Sequence, residues 1–230
     1  MITIRWRAAL ATLLPCLAGA ATLAAQAPTE PSLWSVSAVV STLGLGAEFT
    51  GRANPIVGLR GGYFLFGLSH DDVVQGISYQ LEPRLRNGTV MLDLHPGGKA
   101  FRLSGGFLFS SSHVDATGVL DGPVTIGNSV YQPSDVGQLT GEARYTKTAM
   151  PYFGIGVASD ARFTITVDAG IGLSGYPKVS LSADSPLTGP EREALDQSLA
   201  QEEAQIQQDI ESRWWAKFYP VFSIGFKLRF

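Results

Sequence analysis

The sequence predicts an all-β protein, an eight-stranded antiparallel transmembrane β-barrel with one helical segment in its last long loop. Three observations predict it. From Trp34 onward apolar residues alternate with small or polar ones at a period of two, short and long connections alternate along the chain, and the N-terminal segment reads as an export signal. With 45% hydrophobic and only 16% charged residues, the 230-residue chain fits one domain and is too poor in charge for an ordinary solvated strand face. Its 17 basic against 20 acidic residues leave no positive excess to grip phosphates along a duplex, so no nucleic-acid partner is expected.

Residues 1–25 read as a signal peptide, with Arg5 and Arg7 as the basic start, an apolar run over 8–17, and Leu23-Ala24-Ala25 as the cleavage site ahead of Gln26. The run is shorter than the ~20 residues of a spanning helix, which disfavours an uncleaved anchor. Cys16, the one cysteine, follows Leu-Leu-Pro rather than small residues and so fits a lipoprotein acceptor poorly. Cleavage leaves a barrel domain of 26–230 without cysteine, and net charge moves from -3 to -5 with the loss of two arginines.

Eight strands are predicted near 33–41, 43–53, 55–68, 78–95, 100–116, 141–158, 161–183 and 214–230. The first hairpin requires a tight turn at Thr42 and Leu43. In the second strand Leu43, Leu45, Ala47 and Phe49 alternate with Gly44, Gly46, Glu48 and Thr50; in the third, Val57, Leu59, Tyr63 and Leu65 alternate with Gly58, Arg60 and Gly62. The fourth slips phase near Asn87-Gly88, which predicts a bulge. Phe101, Leu103, Phe107 and Phe109 then alternate with Arg102, Ser104 and Gly106, and Phe163, Ile165, Val167 and Ile171 with Thr164, Thr166, Asp168 and Gly172. Asn54-Pro55, His95-Pro96-Gly97-Gly98 and Ser159-Asp160 are tight turns, whereas 69–76, 117–140 and 184–213 are long loops. The last loop holds the helical signal: Pro190 at a first turn, then Leu195, Leu199, Ile206 and Ile210 at near-helical spacing, expected as a short amphipathic helix resting on the barrel rim.

A secreted lipocalin-like barrel would turn the apolar parity inward around a ligand; a membrane barrel turns it outward. The polar parity carries mostly Gly, Ser and Thr, with Glu48, Arg60, Asp93, Arg102, Asp168, Lys227 and Arg229 as isolated charges. That sparse set suits the narrow interior of an eight-stranded barrel, where the charges must pair, and the membrane reading follows. In the last strand Phe222, Ile224, Phe226, Leu228 and Phe230 occupy every second position. This pattern resembles the terminal strand of bacterial outer-membrane proteins, and the resemblance implies an assembly signal read by the barrel-assembly machinery. Strand lengths and loop sizes resemble those of small eight-stranded barrels of the OmpA and OmpW type, and the layout, including the Leu92-Asp93-Leu94-His95-Pro96 turn before Phe101-Arg102-Leu103, is similar to proteobacterial barrels of this size, which implies the outer membrane of a Gram-negative bacterium.

The function expected is non-enzymatic: a structural or surface-binding barrel with its interior plugged by side chains, contacting outer-membrane lipid and lipopolysaccharide. No cofactor is expected, and a small-molecule ligand is left open. A passive pore or carrier for small or apolar molecules is one alternative, and a lipid A-modifying hydrolase the other. For the latter, Ser111 shares a face with His113 and Glu142 lies on the next strand, whereas Ser112 points to the opposite face. His70, His95 and His113 are too scattered for a metal site, and the Asp71-Asp72 pair beside His70 reads as a solvated loop.

Overall fold

The computed structural model describes residues 34–68, 70–74, 77–120, 122–159 and 161–230, with the side chains of 70–74 and 77–79 left aside. The signal segment and Cys16 lie outside the described residues. In chain order the elements are β1 (Trp34–Ser41), β2 (Gly44–Arg52), β3 (Val57–Gly67), β4 (His70–Val74), β5 (Ile77–Leu94), β6 (Phe101–Ser110), β7 (His113–Leu120), β8 (Val124–Ile126) and β9 (Ser129–Tyr131). There follow α1 (Pro133–Val136), β10 (Gln138–Tyr145), β11 (Ala149–Ala158), β12 (Phe163–Leu173), β13 (Pro177–Asp184), α2 (Pro190–Glu211) and β14 (Phe218–Arg229).

Eight of these strands close on themselves, every neighbour antiparallel, in the cyclic order β1-β2-β3-β5-β6-β11-β12-β14. Closure removes both sheet edges, which are the aggregation-prone part of any open sheet. The apolar parity faces outward: Val40, Leu59 and Phe222 are each at least 60% exposed, while Ser37, Glu48 and Thr166 on the other parity are buried. A lipocalin-like arrangement would invert this.

The turns at one end are short for identifiable reasons. Asn54 Oδ1 accepts from the backbone N–H of Ile56 and Val57, both at 2.8 Å, which closes the β2–β3 turn. Pro96–Gly98 forms a one-turn 3-10 helix between β5 and β6, with Gly97 at φ 68°. At the opposite end the two-residue turn at Thr42 and Leu43 joins β1 to β2 as predicted.

Two expectations about strands are corrected. The stretches read as single strands over 100–116, 141–158 and 161–183 each break, at 111–112, 146–148 and 174–176. The third break holds Gly175 at φ 74° followed closely by Pro177, a pairing that cannot continue a ladder unbroken. Above the breaks the sheet changes partners: β4, β5, β7, β10 and β13 form an open five-stranded extension, and only β5 runs through both parts. The bulge predicted near Asn87 is absent, since β5 keeps one register against β3 from Arg84 to Leu94. The apparent slip of phase comes from Arg84 and Arg86 on the outward parity and the half-buried Leu85 on the inward one; Asn87 itself is inward like Thr89 and Asp93, and it donates to the Leu43 carbonyl at 2.8 Å, tying β5 to the β1–β2 turn.

The extension carries its own core. Leu120, Val124, Ile126, Val136, Ala183, Leu195 and Leu199 cluster there, so the loop expected over 117–140 is a folded lobe containing the β8–β9 hairpin and α1. The helix predicted after Pro190 is present and 22 residues long, but it does not rest on the rim. It runs along β13, with Glu203 accepting from the Leu181 N–H at 3.3 Å and Gln207 donating to the Pro177 carbonyl at 3.3 Å. Because β13 pairs only with β10, α2 covers what would otherwise be an open edge. Leu195 and Leu199 are buried as the spacing predicts, and Ile206 and Ile210 are half-buried.

Candidate functional site

An eight-stranded barrel leaves room inside for side chains and little else. In this chain they fill it in two tiers. In the half nearer the short turns, Arg60 projects from β3 between β2 and β5. Its Nη1 donates to Glu48 Oε1 at 2.9 Å, its Nε to Asp93 Oδ2 at 2.9 Å, and its Nη2 to Ser104 Oγ at 3.1 Å. Arg102 on β6 donates through Nε to Asp168 Oδ1 at 2.9 Å, and its Nη2 donates to the other oxygen of the same carboxylate, a bidentate fork. The two halves join: Asp168 lies 3.8 Å from Arg60, Asp93 lies 3.9 Å from Arg102, and Ser104 donates to Asp93 at 2.6 Å.

These side chains are at most 7% exposed, so leaving any one of them unpaired would cost several kcal/mol, which the forked geometry avoids. Period two brings them together. Residues on alternate positions of β2, β3, β5, β6 and β12 share one face, and closure of the sheet points that face at a common axis.

Of the seven interior charges predicted, the structure gathers Glu48, Arg60, Asp93, Arg102 and Asp168 into this cluster. Lys227 is buried lower on β14, where its Nζ donates to the Ser159 carbonyl at 3.0 Å. Arg229 is half-buried at the end of the same strand. The inward parity of β14 runs past the short-turn end of the cluster, which separates these two cations from the central five.

The second tier is apolar and was not read from the sequence. Val39, Leu43, Phe64, Met91, Leu108, Met150, Tyr152 and Val221 pack together toward the lobe end, with Tyr145 and Tyr219 against them. The members on barrel strands follow the inward parity; Phe64 is two positions beyond Gly62, and Leu108 two beyond Gly106. Their parity marks them as inward, but their apolar character matches that of the outward Phe and Leu row. Leu43, expected on the outward row with Leu45, is instead buried because it lies in the turn before β2. Tyr152 fits because Gly154 and Gly170, paired across β11 and β12, leave a slot: a Cβ at either position would strike its phenol ring or hydroxyl. Between the tiers a void of only ≈ 10 Å³ remains, lined by Glu48, Arg60, Phe64, Thr89 and Tyr152 among others. That is about the space of one water molecule.

Hydrolase chemistry would need Ser111, His113 and Glu142 within hydrogen-bond reach. The structure puts His113 Nε2 3.5 Å from Asp115, gives the Ser111 hydroxyl to the Arg86 carbonyl at 3.5 Å, and sets Glu142 3.7 Å from Arg144. Ser112 Oγ donates to Asn87 Oδ1 at 3.1 Å. Among the described residues no serine hydroxyl bonds to His113, and no group of His, Cys, Asp and Glu is arranged to hold a metal ion.

The fold is similar to the crystal structures of CarO and CarO2 from Acinetobacter baumannii. Each aligns with a TM-score of 0.59 at 23% sequence identity, over 86% of this chain and 98% of the other. No protein-family model and no curated protein matches the sequence. The likeness shows the fold, an antiparallel β-barrel found also in solved proteins.

Proposed function

We propose that the protein is a non-enzymatic outer-membrane β-barrel of a Gram-negative bacterium, with a structural or surface-binding role, whose interior is sealed. The observation that carries this reading is the combination of an outward apolar belt with a doubly filled interior. The belt answers to a hydrocarbon surround, since exposed apolar area on this scale is foreign to a water-soluble surface. Aromatic side chains flank it: Trp34 stacks on Phe49 at 5.3 Å at the short-turn end, and Trp214 and Trp215 stand exposed at the lobe end. Short turns then face the periplasm and the lobe faces outside. The likeness to CarO supports the architecture that this role needs. The row Phe222, Ile224, Phe226, Leu228 and Phe230 on and after β14 is the surface offered to the barrel-assembly machinery.

The test is to fold the full-length chain into detergent and then into a planar bilayer. The unboiled protein is expected to migrate differently from the boiled one on a detergent gel, and the bilayer to stay free of conductance steps. Regular open-channel steps would overturn the sealed-barrel reading.

A carrier of small apolar molecules is the second reading, favoured by one feature. At the tip of the β1–β2 hairpin a groove of ≈ 210 Å³ is lined by Val40, Thr42, Leu45, Phe66 and Leu85, next to Leu43 of the apolar tier. Uptake of a hydrophobic dye blocked by Gly44→Phe would support it.

A further inference from the structure

Where the barrel strands break and the lobe begins, basic side chains line up in register. Arg84 on β5 pairs with His113 on β7, His113 with Arg144 on β10, and Arg144 with Lys178 on β13, a row across four adjacent strands. The row faces outward. On β5 it continues the parity of Val90, Leu92 and Leu94, so it stands directly beyond the apolar belt on the same face. Arg86, exposed and opposite Leu65, fills the step between belt and row. Lys147 lies in the neighbouring break, its side chain alongside Gly175, and the carbonyl of Lys217 accepts from Gly175 N–H at 3.0 Å and Ser174 Oγ at 2.9 Å. The cations thus continue around the joint.

Part of this charge is answered locally. Glu82, Asp115 and Glu142 form the next row, 2.8, 3.5 and 3.7 Å from Arg84, His113 and Arg144. Exposed ion pairs of this kind are weak and exchange partners readily. Arg86, Lys147 and Lys178 have no carboxylate within 4.0 Å among the described residues. Three uncompensated cations beside the upper limit of an apolar belt are placed where the headgroups of a bilayer begin.

We infer that this cationic collar docks the phosphate groups of lipopolysaccharide in the outer leaflet, with Arg86, Lys147 and Lys178 as the principal contacts. The inference rests on the outer-membrane reading above and adds to it a partner and a site. Phosphate suits the collar because a row of point charges and guanidinium forks, spaced by the strand separation, presents several donors to a multiply charged headgroup.

The experiment uses full-length protein folded in detergent and titrated with fluorescent lipid A, either phosphorylated or enzymatically dephosphorylated. Phosphorylated lipid A is expected to bind the wild type at least about tenfold more tightly than it binds R86Q/K147Q/K178Q, given the attraction each basic residue near a surface contributes. The dephosphorylated form should bind both weakly, and K99Q/R162Q, at the short-turn end, should bind like the wild type. Equal affinity of the triple variant and wild type would overturn the inference, as would equal affinity of the wild type for both lipids, or an equal loss in K99Q/R162Q. Every sample is also run unboiled and boiled. A wild type with no migration shift would overturn the outer-membrane reading itself, whereas a shift with unaltered binding in the triple variant would overturn the collar alone.

Discussion

Arg60 donates through Nε to Asp93 Oδ2 at 2.9 Å in the centre of the barrel, and neither side chain is more than 5% exposed. The guanidinium also holds Glu48, so a single cation keeps two buried carboxylates from facing each other alone. Arg60→Met removes it at similar volume, and the loss of one partner from a buried set costs about 3–5 kcal/mol. The variant is expected to lose its heat-modified migration at a clearly lower temperature than the wild type. Replacing the whole set, R60M/E48Q/D93N, should recover most of that loss, because no unpaired charge is then left inside.

The apolar tier supports a different expectation. Leu108 is fully buried on β6 among Met91, Met150 and Tyr152, so Leu108→Ala should cost about 2–5 kcal/mol in the denaturant midpoint. It should not open a pore, because the charged tier still crosses the barrel below it. Conductance steps in Leu108→Ala alone would mean that the two tiers do not seal independently.

How far the sequence led is clear from individual residues. The parity that put Glu48, Arg60, Asp93, Arg102 and Asp168 on one face was readable because a barrel strand has one inside and one outside, and a single polar residue in a Gly/Ser row stands out. Phe64, Leu108, Met150 and Tyr152 share that inward parity but are apolar, so nothing in composition separates them from the outward row. The stretch before Asn87 reads as a break in the opposite sense, because Arg84 and Arg86 take the outward parity above the apolar belt while Leu85 takes the inward one. Part of the lobe was illegible for a physical reason: β7 continues the alternation of β6 and only its pairing partners change, whereas the outward parity passes from odd positions such as Phe153 and Phe163 in β11 and β12 to even ones, Arg144 and Lys178, in β10 and β13. Pairing is a long-range property that no local period reports.

Tyr152 occupies the slot that Gly154 and Gly170 leave open. Gly170→Ala would place a methyl against its ring, forcing the phenol off its position inside a packed interior, where overpacking costs about 1–3 kcal/mol. Tyr152→Phe relieves part of the contact by removing the hydroxyl. G170A is therefore expected to lower the unfolding midpoint, and G170A/Y152F to recover a measurable share of it. A double variant no better than G170A would show that the loss comes from the backbone rather than from the slot.

The described residues form two separate cores, one inside the barrel and one under α2, joined through β5 and through the breaks at 111–112, 146–148 and 174–176. Separate cores allow separate opening, since regions with few shared buried contacts unfold in their own cooperative units. Leu195 is fully buried in the lobe, and Leu199 lies one helical turn further along α2. L195A/L199A should weaken the grip of α2 on β13, and limited proteolysis should then cut within 184–213, where the wild type resists. The gel shift that reports the folded barrel is expected to persist in the cut protein at the wild-type temperature, because the Arg60 cluster and the Leu108 tier contain no residue of the lobe core. Simultaneous loss of the shift and of protease resistance would instead make barrel and lobe one cooperative unit, with the β5 strand transmitting the change between them.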